Sequence, residues 1–132
     1  MELLRWKARI ALLWVFMAVA MSAHALFAII TPGGLEKTIS EVEAMGPGML
    51  VFMALLGLVP LWLAFVSITV KGSSNRWVNF VLGIIFTILN IWHLTMHLAE
   101  APSVHQILII GSTIVVTALI AWYAWTWPKQ EA

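Results

Sequence analysis

Four uninterrupted stretches without Asp, Glu, Lys or Arg restrict this chain more than any other feature: Ile10 to Ile30, Met49 to Val70, Trp77 to Leu98 and His105 to Trp127. A helix rises 1.5 Å per residue, so about 20 apolar residues are needed to cross ~30 Å of hydrocarbon, and each stretch is long enough. Backbone polar groups in lipid must be satisfied within the segment, which selects helices over open strands. Apolar residues make up 62% of the sequence and charged residues 10%, a balance that excludes a water-soluble domain. The expectation is an all-α integral membrane four-helix bundle, a single transmembrane domain over residues 1–132 whose partner on every side is the lipid bilayer.

The connections carry start and stop chemistry. Thr31-Pro32-Gly33-Gly34 ends the first span, and Gly46-Pro47-Gly48 opens the second with proline where a missing amide hydrogen costs least. Between them Leu35, Ile39, Val42 and Met45 recur at helical spacing among Glu36, Lys37, Glu41 and Glu43, the pattern of a short helix lying on the membrane surface. Asn75 is placed to N-cap the third span, and Ser103 with Gln106 reads as a capping box opening the fourth.

Lys and Arg near helix ends are retained on the cytoplasmic side. Arg5, Lys7, Arg9, Lys71, Arg76 and Lys129 fall on one side of a four-span chain and Lys37 alone on the other, which predicts both termini in the cytoplasm. Trp6, Trp77, Trp125 and Trp127 are expected at the same interface, where an amphipathic ring has one apolar and one wet neighbour. Arg5 to Arg9, the following apolar run and Ala23-His24-Ala25 also resemble a secretory signal with its cleavage site. The run continues to Ile30, long enough to span, and retention is the expectation.

Polar side chains inside a membrane are costly and face the bundle interior or a water-filled cavity. At 100° per residue Asn79, Gly83, Thr87, Asn90, His93, His97 and Glu100 fall within roughly 140° of the third span, so this stripe is expected to point inward. Thr95 points away and can bond a carbonyl one turn back. His24, His93, His97 and His105 all fall in the half of the bundle opposite the termini. His93 and His97, four apart, supply half of a metal site or one side of a haem pocket, to be completed by His24 or His105. Imidazole also suits a proton relay. The plainer alternative is that each ring bonds across helices or sits at the interface, contacts worth about 0.6 kcal/mol on average.

Met17 and Met21 share a face with His24, and Met49 and Met53 repeat that spacing in the second span; thioether with imidazole favours copper(I), although methionine more commonly fills irregular cores. Gln106, Thr113, Thr117, Ala121 and Ala124 form a narrow face of small and polar residues suited to close helix packing. Pro60, in the middle of the second span, removes a backbone hydrogen bond and predicts a bend, static or hinged. There is no cysteine and no solvated basic face, so thiolate chemistry and nucleic acid are not expected.

The stretches Asn75-Arg76-Trp77-Val78-Asn79, Gly83-Ile84-Ile85-Phe86-Thr87 and Ala121-Trp122-Tyr123-Ala124-Trp125-Thr126-Trp127-Pro128-Lys129 resemble an uncharacterised family of small four-span bacterial membrane proteins. The resemblance covers residues 60–130 and implies a bacterial inner-membrane protein of this helix count; no activity comes with it, and it does not extend to the histidine pair. Three functional readings follow. The first is a structural or interaction subunit, assembling as a homo-oligomer or within a larger membrane complex, with enzymatic activity expected only through a bound cofactor. The second is a metal- or haem-binding protein using the histidines. The third is a small proton-coupled transporter, which resembles the small multidrug resistance type in size but lacks a carboxylate inside any span.

Overall fold

The structure, a computed structural model, describes residues 1–100 and 103–128; Lys129 lies outside them. Among the described residues it contains five helices: α1 (Glu2–Ile30), α2 (Gly34–Ala44), α3 (Pro47–Thr69), α4 (Ser73–Glu100) and α5 (Val104–Trp125). Four of them, α1, α3, α4 and α5, are long and apolar enough to cross a membrane. The apolar runs located each span, but α1 and α4 begin before their uncharged stretches do. Both extensions carry cations whose tips stop the carbonyl ends of other helices.

A helix C-terminus leaves carbonyls unpartnered and a partial negative charge. Lys7 Nζ donates to Val70 O at the end of α3 (3.1 Å), and Asn75 Nδ2 donates to Ser67 O and Val70 O (3.0 and 2.8 Å). Arg76 does the same for α5, donating from Nε to Ala124 O and from Nη2 to Trp125 O (3.2 and 3.3 Å). Asn75 therefore does not N-cap the helix it was expected to open. That helix starts at Ser73, and the buried amide of Asn75 serves the preceding one instead.

Helix α1 packs along both α3 and α5, and α4 packs along α5, while α3 and α4 meet only briefly. Helices α1 and α4 thus face each other across a diagonal, bridged by long side chains. Trp14 stacks edge-on to Phe86 (5.4 Å between ring centres) and donates from Nε1 to Asn79 Oδ1 (2.6 Å). Beyond that layer Asn90 Nδ2 approaches Met17 Sδ at 3.4 Å. In the same inward stripe of α4, Gly83 lies so close to α5 that a Cβ there would stand 2.9 Å from the Ala121 nitrogen.

The core is concentrated toward the end that carries the described termini. In α3 Pro60, Leu63, Ala64 and Ser67 are buried, whereas every residue from Gly46 to Leu55 is exposed. Burial begins at Leu56 and Val59, partly buried against the core, and is complete at Pro60, inside a helix that runs unbroken from Pro47 to Thr69. The first turns of α3, through Leu55, lie outside the packed core. Met49 and Met53, at 51% and 50% exposure, consequently fill no core and approach no histidine; Met17 alone of the two pairs is buried.

Two other expectations change. Trp127 is 5% exposed and belongs to the core, because the chain turns inward after α5, while Trp77 and Trp125 keep the half-exposed position foreseen for them. Trp6 packs edge-on to Tyr123, with the Arg9 guanidinium 5.8 and 5.9 Å from the two ring centres. The short helix α2 forms as the spacing predicts. Leu35, Ile39 and Val42 share one exposed apolar face, and Lys37 ties the helix to Glu41 and to Glu100 of α4 (3.7 and 3.5 Å).

Candidate metal centre

The inward stripe of α4 divides into parts with different work. Near the termini, Asn79 Oδ1 accepts from Trp14 and lies 3.0 Å from the Ser67 hydroxyl, and its Nδ2 donates to Asn75 O and Asn75 Oδ1 (2.9 and 2.7 Å). Both ends of this amide are satisfied inside the protein, which makes it a fastener of α1, α3 and α4. Midway, Thr87 Oγ1 meets Thr117 Oγ1 at 3.0 Å, and Asn90 Nδ2 reaches Thr113 O and Thr117 Oγ1 at 3.4 and 3.5 Å. These join α4 to α5. Thr95 bonds the Ile91 carbonyl one turn back, as its outward position requires.

The remaining part is the histidines. His93 and His97 stand one turn apart on α4, and His24 enters from α1 across the diagonal. The His24 ring lies edge-on to both, 4.8 Å from His93 and 5.0 Å from His97, and His93 and His97 are 4.8 Å apart between ring centres. One nitrogen from each ring lies within 4.8 Å of the others. A tetrahedral or trigonal ion bound at ~2.0–2.1 Å needs nitrogens roughly 3.3–3.6 Å apart, so closure takes about an ångström of ring movement.

Helix α5 backs the cluster with Gln106. Its Oε1 lies 2.7 Å from His24 Nδ1, and its Nε2 donates to the His24 backbone carbonyl at 3.2 Å. A carbonyl can only accept, so the second bond fixes which end of the amide carries hydrogens. Oε1 must then receive the Nδ1 proton of His24, and Nε2 of the ring is left with its lone pair available to a ligand. This is the arrangement by which a second residue orients a metal-ligating imidazole. Gln106 is therefore not half of a capping box: Ser103 occupies the N-cap of α5 without a side-chain bond there.

His93 and His97 have no such partner. Among the described residues their rings meet each other and His24, and neither ring nitrogen has a hydrogen bond. All three rings are half-buried. His105 does not join them; its ring packs on Phe27 at 5.4 Å. Glu100 turns to Lys37 at the exposed end of α4. His93 and His97 project from one face of α4, one turn apart.

Sequence spacing located His93, His97 and the polar stripe but missed Gln106, whose place on the small-polar face of α5 was its only signal. The chain matches no protein-family model, no curated protein and no solved structure, which leaves this geometry to carry the functional reading.

Proposed function

We propose that this chain is a metal-binding membrane protein in which His24, His93 and His97 hold one ion and Gln106 orients the first of them. The observation that carries the reading is the contrast within the cluster: one imidazole is clasped by a buried amide, and two converge on it with no hydrogen bond to their nitrogens among the described residues. Histidines that served packing alone would each be expected to bond across to a neighbouring helix, as Asn79 and Thr87 do.

The charge distribution supports an inner-membrane orientation with both termini in the cytoplasm, since Arg5, Lys7, Arg9, Lys71 and Arg76 lie at one end and Lys37 at the other. The site then belongs to the extracytoplasmic half. A reporter attached after Gln130 and found outside the cell would reverse that placement. We assign no catalytic role, and a partner subunit is not required to complete the ligand set. Proton-coupled transport is disfavoured by the Trp14–Phe86 layer, which lies between the histidines and the Ser67–Asn75–Asn79 group, and by the lack of a carboxylate within any of the four uncharged stretches.

Elemental analysis and an absorption spectrum of protein purified in detergent, before and after exposure to transition metals, test the reading. Wild type should retain one ion per chain, and a variant carrying His93→Ala and His97→Ala should retain none. A metal-free wild type overturns it; a strong Soret band would replace it with a haem site.

A further inference from the structure

We infer that the ion this centre prefers is copper(I). The inference rests on the three-histidine reading above and concerns which ion those ligands can hold in this position. All three are neutral imidazoles when they bind, so the whole charge of the ion stays on the site. The work of bringing an ion into a low-dielectric medium grows with the square of its charge, which makes a divalent ion about four times as costly as a monovalent one of similar size. Proteins ordinarily offset that cost with carboxylates or thiolates. This chain has no cysteine, and no carboxylate falls within the uncharged stretches. The closest along α4 is Glu100, exposed at the helix end and held 3.5 Å from Lys37 Nζ. It does not join the histidine group.

Geometry points the same way. Copper(I) is content with three ligands, whereas zinc(II) with three histidines fills a fourth position with water and keeps its two charges. The soft sulfur nearby also favours the monovalent ion. Met21 lies three residues before His24 on α1 and is partly buried against the core, one turn from the ring. The other inward thioether, Met17, is already occupied by Asn90. Met21 is thus the residue able to offer a thioether as an additional ligand.

The test titrates the intact protein in detergent, without oxygen, with copper(I) buffered by bicinchoninate, and in parallel with copper(II) and zinc(II) against chelating dyes. Copper(I) should bind one per chain and at least a hundredfold more tightly than zinc(II) or copper(II), and its K-edge absorption should show three nitrogen ligands. Met21→Leu, close in volume, should weaken copper(I) several-fold and leave any residual zinc(II) binding unchanged. Glu100→Gln should leave copper(I) affinity within twofold. Zinc(II) or copper(II) binding as tightly as copper(I) overturns the inference and leaves the three-histidine site standing. Dependence of copper(I) on Glu100 overturns it as well, because the charge would then be neutralised by a carboxylate. Binding of none of the three ions defeats the site itself.

Discussion

Gln106 and His24 hold each other twice across 82 residues of sequence, once through the imidazole Nδ1 at 2.7 Å and once through the His24 backbone carbonyl at 3.2 Å. The double contact fixes the ring's tautomer and its orientation together. Gln106→Ala removes both restraints while leaving all three proposed ligands in place. Metal affinity should fall 10- to 100-fold, the usual cost of losing an orienting neighbour, with stability reduced by about 1–2 kcal/mol. Competition with a chelator measures the first and unfolding in mixed detergent micelles the second. Unchanged affinity would mean that His24 needs no orienting partner, or is no ligand.

Metal ligation by imidazole requires the unprotonated ring, so protons compete directly with the ion. The ordinary imidazole value is about 6.5. Binding should be complete on the alkaline side and decline as pH falls, with up to three protons taken up per ion released. Chelator competition between pH 5 and 8 reads the slope. A flat profile would argue that the ligands are not histidines.

The close approach of α4 and α5 gives a prediction independent of any ligand. A Cβ on Gly83 would stand 2.9 Å from the backbone nitrogen of Ala121, while one on Gly57 or Gly111 meets nothing within 4 Å. Gly83→Ala should destabilise the bundle by ~1–3 kcal/mol through overpacking against backbone. The same change at Gly57 should be tolerated, since extra helix propensity there meets no obstruction. Equal effects at the two sites would show that helix propensity, not contact, governs both.

Much of the fold was legible because lipid imposes a simple rule: uncharged runs of sufficient length become helices, and their polar residues turn inward. That rule located the four spans and the face of α4 that carries His93 and His97. It gave no information about partners. Asn75 and Gln106 sit where local sequence suggests caps, yet each reaches a distant carbonyl or ring, because burying an amide obliges it to find the nearest group on a neighbouring helix. The selection of His24 over His105 likewise depends on helix neighbours: α1 faces α4 across the diagonal, whereas the first turn of α5 points His105 toward Phe27. Trp127 was misplaced for a similar reason, since a ring beyond the end of α5 can turn inward or outward with no change in the hydropathy of the sequence.

Asn79 separates structural polarity from the proposed centre. Its amide is bonded at both ends, to Trp14 and to Asn75. Asn79→Leu would leave the Trp14 indole hydrogen without its acceptor, at a cost of about 1–3 kcal/mol. Metal content should stay at the wild-type value, because the histidines lie beyond the Trp14–Phe86 layer. Loss of metal at unchanged stability would instead couple the two ends of the diagonal.

We predict that Pro60 sets the access to the cluster. Gly46 to Leu55 of α3 are exposed, Leu56 and Val59 are partly buried against the core, and Pro60, Leu63, Ala64 and Ser67 are buried. Pro60→Ala restores an amide hydrogen to the helix and removes the clash with the preceding turn. A straighter α3 would bring Leu55 and its neighbours toward α1 and α4, over the site. Metal loading should slow several-fold, with equilibrium affinity unchanged or higher, and a cysteine placed at Met53 should become less reactive toward a lipid-soluble maleimide. Stopped-flow loading and labelling rates read the two effects separately. Faster loading in Pro60→Ala would mean that the ion reaches the histidines from the end of the bundle, and that the exposure of the first turns of α3 serves something else.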